Sequence, residues 1–374
     1  ALVITGLLKL AWRPAAAVVR RTDPMTAHGR TVALMRRGDG LPGVATAGRA
    51  IRQLVYPPIP THVGGVDLPY PLIVAAGLVK GDGFVDEVSA LDAVRAGRDI
   101  VPGWHSVPAL CGAVEFGSYT RHPRVGNPGR VLWRDFDGGW MQNRVGLRNP
   151  GARASAAYLA RHAADLPPTW GLNLAVSPGL SDLGRSRDEI AESATAFTTA
   201  FAGTQAGPSW VTLNLSCPNT EDDPHGNQSV ELARTLCAAI RGQIGVPLWV
   251  KLGPDLADQQ LDRLVDVLGT AGAQAVVATN TLAQPVPEGG TAGVSGTRLR
   301  SRALATVARL RRAIDATGAG LDIVASGGIL SGDDLRAFRQ AGAVAGMVYT
   351  ALVLRGPLAA GLILREAATG GTDV

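Results

Sequence analysis

The chain has 374 residues, of which 46% are hydrophobic and 18% charged, and its mean hydropathy is +0.13. This composition excludes a disordered or low-complexity polypeptide and fits one large α/β domain with a small appendage. The formal charge of +5 comes from scattered arginines without an aromatic-rich stripe, which argues against nucleic acid as a partner.

Cys111, Cys217 and Cys237 lie far apart with no CxxC pair, so neither a disulfide framework nor a structural metal is expected. Cys111 and Cys237 read as small buried hydrophobes. Lys9, Lys80 and Lys251 are the only lysines in an arginine-rich chain. A retained lysine points to a need for a compact ammonium wherever it falls in a site.

Residues 1–60 read as a helical extension ahead of the main domain at 61–374. The opening apolar run is broken by Lys9 and expected to end at Arg13-Pro14. It is too short to span a membrane and lacks a clear small-residue cleavage site. Asp23 before Pro24 predicts a helix start, with proline at the first helical position. Two short amphipathic helices are therefore expected, forming a small cap with one apolar face.

From residue 61 onward, strand and helix patterns alternate. Strands are expected at 72–77, 113–118, 171–177, 211–216, 248–253, 275–280, 323–327 and 346–350. Helices are expected at 231–241, 258–269, 301–316 and 331–341. Eight short apolar runs separated by helical stretches favour a closed (β/α)8 barrel, the TIM-barrel class. An open doubly wound sheet is the rival, but no GxGxxG follows the first strand.

A parallel barrel carries its chemistry at the C-terminal strand ends. There the sequence places Lys80, Ser118, Asn173, Asn214, Lys251, Thr279, Asn280, Gly328, Tyr349 and Thr350. Core packing would place Val, Ile or Leu at such positions, because buried amides need partners. Asparagine offers a donor and an acceptor without charge, which suits a cyclic amide or imide. A buried lysine can hold a carboxylate or offset negative charge on a reduced flavin. The glycine-rich ends of the last strands allow backbone N–H groups to approach a phosphate.

Seven segments then match one known family, in its order and across nearly the whole barrel. They are Ala75-Ala76-Gly77-Leu78-Val79-Lys80, Asn143-Arg144-Val145-Gly146-Leu147, Asn214-Leu215-Ser216-Cys217-Pro218-Asn219-Thr220, Val250-Lys251-Leu252-Gly253-Pro254-Asp255, Ala278-Thr279-Asn280-Thr281, Gly293-Val294-Ser295-Gly296 and Ala325-Ser326-Gly327-Gly328-Ile329. Together they resemble the dihydroorotate dehydrogenase family.

The resemblance implies FMN at the barrel mouth with a dihydropyrimidine stacked on it. Ala76, Gly77, Ser118, Asn173, Lys251, Thr279, Ser295, Gly296, Gly328, Tyr349 and Thr350 would hold the flavin. Lys80, Asn143, Asn214, Asn219, Asn280 and Thr281 would hold the substrate. Cys217 would remove the C5 proton while a hydride leaves C6.

The N-terminal segment around Asp23 to His28 resembles the membrane-associated, quinone-reducing class, which implies His28 and Arg134 beside a quinone tunnel. A cytoplasmic location follows, with peripheral contact on the cytoplasmic face of the inner membrane through the helices. Four features depart from that class: Cys217 where it has serine, Leu147 where it has phenylalanine, the loop Glu221-Asp222-Asp223-Pro224-His225-Gly226, and an apparent insertion at 98–105. Two alternatives therefore stay open, a paralogue acting on another cyclic amide and a non-catalytic FMN-binding protein.

Overall fold

The structure is a computed structural model that describes residues 2–215 and 229–369. Three helices precede the barrel rather than the expected two: α1 (Leu2–Arg21), α2 (Pro24–Gly40) and α3 (Val44–Val55). The break expected at Arg13-Pro14 does not occur, and α1 continues through Pro14. An interior proline costs about 3 kcal/mol or more by removing a backbone donor and crowding the preceding turn. Tertiary anchors offset it. Trp12 Nε1 donates to Leu354 O (3.2 Å), and Arg134 donates to Val19 O and Thr22 O at the helix end. The next helix begins where Asp23-Pro24 predicted, with the Asp23 carboxylate accepting from Met25 N (3.0 Å) and Thr26 N (3.2 Å).

A hairpin follows, β1 (Thr61–Val63) with β2 (Val66–Leu68), and then the first barrel strand, β3 (Leu72–Val74). After α4 (Glu87–Arg95) and α5 (Ser106–Cys111) come β4 (Val114–Tyr119), the excursion β5 (Leu132–Asp135) and β6 (Trp140–Asn143), and α6 (Ala152–Arg161). The repeat continues through β7 (Trp170–Leu174), α7 (Leu183–Ala200), β8 (Trp210–Asn214), α8 (Val230–Arg241), β9 (Leu248–Leu252), α9 (Asp258–Thr270) and β10 (Ala275–Ala278). A second excursion, β11 (Leu282–Pro285) and β12 (Thr291–Gly296), precedes α10 (Thr297–Thr317). The chain closes with β13 (Asp322–Ser326), α11 (Gly332–Gln340), β14 (Ala345–Val348), α12 (Thr350–Arg355) and α13 (Ala359–Thr369).

Strands β3, β4, β7, β8, β9, β10, β13 and β14 form a closed parallel barrel in that order. Each strand expected from the sequence falls on one of them. Alternate residues face inward and fill the barrel in layers. At the bottom, the rings of Trp210 and Trp249 stack with centroids 4.6 Å apart. The β1–β2 hairpin closes that end: Trp249 Nε1 donates to Gly64 O (3.0 Å), and Gly64 N donates to Asp322 Oδ2 (2.7 Å). Gly64 has φ +53, and a Cβ there would lie 2.4 Å from Trp249 Nε1, so glycine is required. Two residues further along the same strands, the interior turns polar. Thr212 and Lys251 join Glu115 and Asn173 there, all four buried.

Two features were not legible as elements. The excursions pair with each other into a four-stranded antiparallel sheet, β11-β12-β6-β5, through contacts between residues some 150 apart in the chain. The apparent insertion at 98–105 leads into α5 and brackets the N-terminal helices. Asp39 of α2 accepts from Gly103 N (2.5 Å) and Ser106 N (2.8 Å), and Arg52 of α3 donates to Pro108 O.

Candidate active site

The C-terminal strand ends, the excursion sheet and α2 enclose one cavity. Most of the candidates read from the sequence line it. Lys80, Asn143, Asn214, Asn280 and Thr281 are there, with Ala76, Gly77, Ser118, Lys251, Thr279, Ser295, Gly328, Tyr349 and Thr350. His28 reaches the same cavity from α2. Asn173, Gly296 and Arg134 do not line it. Cys217 and Asn219 lie outside the described residues.

The polar groups form short chains rather than isolated contacts. Asn280 Nδ2 donates to Asn214 Oδ1 (3.3 Å), Asn214 Nδ2 donates to Ser118 Oγ (3.4 Å), and Asn280 Oδ1 accepts from Thr281 N (2.9 Å). On the opposite side, the hydroxyls of Ser295 and Thr350 share a 2.8 Å hydrogen bond. Linked donors and acceptors of this kind hold each other in one rotamer, which presents a fixed pattern to a ligand.

Backbone closeness distinguishes the far end of the cavity. Gly328 has φ +89, and a Cβ there would approach Arg300 Cβ to 2.5 Å. Gly296 has φ +79, and its Cβ would lie 2.3 Å from Gly139 O. Both positions are therefore restricted to glycine by neighbouring protein atoms, and Gly328, the one of the two that lines the cavity, presents bare backbone there that can approach an anion.

Two cations, Lys80 and Lys251, sit at the cavity, the second almost fully buried. His28 is held neutral: burial, followed by the positive charges of Lys80 and Arg148, lowers its pKa to about 4. Tyr349, partly buried in the cavity wall, has its phenol pushed up by desolvation. Arg134 instead serves α1, donating to Val19 O and Thr22 O (2.5 Å to the latter) and lying 5.4 Å from the Phe136 ring centroid.

Sequence reasoning passed over the residue that organises the floor. Glu115 is fully buried in the barrel interior and accepts from Asn173 Nδ2 (2.8 Å), Trp210 Nε1 (3.1 Å) and Thr212 Oγ1. A glutamate inside an otherwise apolar strand was the available signal. Leu132, Met141, Val145 and Leu330 also line the cavity and carry no chemical signature of their own.

A family model described as dihydroorotate dehydrogenase matches residues 103–369. The chain belongs to the dihydroorotate dehydrogenase family. Among curated relatives of the family, dihydroorotate dehydrogenase (quinone) of Mycobacterium tuberculosis is 34% identical over 345 residues, covering 89% of this chain and 86% of that one. The protein of the same name from Bordetella avium is 32% identical over 356 residues, covering 91% and 92%. A crystal structure of DHODH from Eimeria tenella in complex with ferulenol superposes with a TM-score of 0.73 at 22% identity, covering 94% of this chain and 93% of that one, and agrees in fold. The family's (β/α)8 barrel with N-terminal helices is thus the architecture found, and the protein is an oxidoreductase.

Proposed function

We propose that this protein oxidises dihydroorotate with an FMN cofactor and passes the electrons to a quinone. The observation that carries the reading is the convergence of Lys80, Lys251, Asn143, Asn214, Asn280 and Thr281 on one barrel-mouth cavity. The curated relatives are named for that reaction. Dihydroorotate is a cyclic imide bearing a carboxylate, and the cavity offers the matching set: amides for the ring and an ammonium for the carboxylate.

The residues present fit a flavin. Among the described residues, Asn173 Oδ1 on the flavin side and Thr281 Oγ1 on the substrate side are buried without a hydrogen-bond partner, which is costly unless a ligand satisfies them. Gly328 lines the cavity with bare backbone that can approach a phosphate, as do the hydroxyls of the Ser295–Thr350 pair, and Gly296 would sit behind them. Ala76, Gly77, Ser118, Asn173, Lys251, Thr279, Tyr349 and Thr350 would complete the FMN site, with Lys251 offsetting negative charge on the ring. When bound, FMN supplies the hydride acceptor for substrate C6.

Lys80, Asn143, Asn214, Asn280 and Thr281 would orient the substrate so that its C5 proton meets the base. We assign that base to Cys217, with Asn219 as a further substrate contact, both outside the described residues. Their assignment rests on the Asn214-to-Thr220 motif. The preorganised amides hold the enolate-like charge that develops as the proton leaves.

The quinone reading is centred on His28, which joins α2 to the cavity. Arg134, assigned to the same tunnel on the resemblance, acts in this proposal as the residue that fixes α1 beside it. Six of the nine large hydrophobic side chains exposed among the described residues lie in the segment of α1 to α3: Leu10, Val18, Leu34, Leu41, Ile51 and Leu54. Among the described residues no helix is long and apolar enough to cross a membrane. We therefore propose residues 1–60 as a peripheral, membrane-facing extension and 61–374 as the FMN barrel.

Anaerobic mixing with dihydroorotate tests the reading. The purified protein should be yellow, bleach on mixing and regain colour with a quinone analogue. A yellow protein that dihydroorotate leaves oxidised overturns the substrate, and a colourless protein that cannot be reconstituted overturns the flavin.

A further inference from the structure

One buried charged side chain does nothing in the function as proposed. Glu115 is fully buried, is not among the residues that line the barrel-mouth cavity, and among the described residues is paired with neutral donors. Burying a carboxylate is costly, and a barrel interior can be filled by apolar side chains, so its place calls for a reason.

The pattern of its partners supplies one. Trp210 Nε1 and Thr212 Oγ1 both donate to Oε2, and an indole N–H can only donate. Oε1 is left to the side-chain amide of Asn173, which donates to it through Nδ2 at 2.8 Å. Asn173 has two chemically opposite ends. With Nδ2 turned to the carboxylate, Oδ1 faces away, and among the described residues Oδ1 is buried without a partner. Asn173 stands in the polar layer directly below the cavity, its backbone packed against Gly117, and it pairs in register with Thr212, two residues before Asn214. Both Ser118 and Asn214 line the cavity. An acceptor held in this position awaits a donor from whatever occupies the site.

We propose that Glu115 is a positioning residue that fixes the polarity of the Asn173 amide, so that Asn173 Oδ1 accepts the ring N–H of the bound flavin. This rests on the FMN reading above. The oxidised isoalloxazine ring carries one N–H, at N3, which can only donate. The ribityl hydroxyls can donate or accept, and so would not need an amide of fixed polarity. A supporting group that never touches the ligand but locks the one that does is how binding sites keep their geometry.

The consequence of Glu115→Gln is specific. The glutamine carbonyl takes the Trp210 and Thr212 donors, its NH2 turns to Asn173, and Asn173 must rotate to offer Oδ1 in return. The amide then presents N–H to the flavin instead of an acceptor.

The test compares FMN with N3-methyl-FMN, binding each to apo-protein and following flavin fluorescence, with thermal melting of the apo-protein alongside. Wild type should prefer FMN at least tenfold. Glu115→Gln and Asn173→Ala should each reduce that preference to less than about threefold, and the double variant should lose nothing more. Glu115→Asp keeps the carboxylate but withdraws it by one methylene, and should fall between, which gives a second arm if the glutamine variant does not fold. Equal binding of the two flavins by wild type overturns the proposal. So does a Glu115 variant that weakens both flavins in parallel with the preference intact, which is the mark of a structural role only. An apo-protein that binds neither flavin would instead fail the FMN reading on which this rests.

Discussion

Replacing Asp99 with asparagine should stabilise the protein at pH 8 and flatten its stability between pH 4 and pH 7. Asp99 sits in the 98–105 insertion, where Tyr158 Oη and Val101 N donate to its Oδ1, each at 3.0 Å. Among the described residues its Oδ2 is buried without a hydrogen bond, and Arg36 Nε lies 3.9 Å away while its Nη2 is engaged with Asp82 at 2.7 Å. Burial, followed by repulsion from Asp39, raises the Asp99 carboxyl from 3.8 to about 6.

A carboxyl with a raised folded pKa holds its proton more tightly in the native state, so its cost is absent below about pH 4. The cost grows as pH rises and is complete above about pH 6. A shift from 3.8 to about 6 corresponds to about 3 kcal/mol at pH 8. The side chain remains 18% exposed, so solvent screening reduces this to roughly 1.5 kcal/mol. Asparagine keeps an acceptor for Tyr158 and Val101 but carries no charge. Urea unfolding at pH 4 and pH 8 reads the effect: no gain at the lower pH and roughly 1.5 kcal/mol at the higher. An Asp99→Asn protein less stable than wild type at pH 8, or equally shifted at both pH values, would refute the reasoning.

The remaining predictions are local. Lys251→Met should weaken FMN binding roughly 10- to 100-fold, the range of a lost hydrogen bond to a charged group, measured by flavin fluorescence with the fold intact by circular dichroism. His28, with a pKa lowered to about 4, contributes stability that is present above its unfolded value of 6.5 and lost as pH falls toward 4. His28→Gln should therefore reduce the loss of stability between pH 7 and pH 4, seen as a smaller drop in melting temperature. Gly64→Ala should cost about 3 kcal/mol or more through positive φ and the contact with Trp249, and should lower the urea midpoint of unfolding.

The barrel was legible because each strand is a short apolar run bounded by turns and each intervening helix carries its own periodicity. Strand ends in turn made Lys80, Asn214, Lys251 and Asn280 visible as candidates. What escaped was set by contacts distant in the chain. The β5–β6 and β11–β12 excursions look like loops one at a time and become a sheet only by pairing with each other. The continuation of α1 through Pro14 depends on Leu354 and Arg134, far away in sequence. Arg134 was placed by its position after a motif, whereas its hydrogen bonds are decided by where α1 ends. The inward-facing glutamate was passed over because an alternation pattern registers which way a side chain points and is silent on what it meets there.

Glu115 is one of several buried polar groups that hold the structure around the cavity without lining it themselves. Leu147 lines the cavity with φ +53, a conformation that costs a branched side chain energy and persists only where neighbours fix it. Asn149, fully buried, fixes it: Nδ2 donates to Leu147 O (2.6 Å) and Thr120 Oγ1 (2.9 Å), while Oδ1 accepts from Gly151 N (2.8 Å) and Thr120 N (3.3 Å). Its whole hydrogen-bonding capacity goes to tying that turn to Thr120 and Gly151. Asp334 does the same at the other end, accepting from Leu330 N, Ser331 N and Arg300 beside Gly328. Residues that touch a ligand can be inferred from the ligand's chemistry. Residues that hold them answer to geometry alone, so substituting Glu115, Asn149 or Asp334 should disturb affinity and discrimination while every contacting side chain is still present.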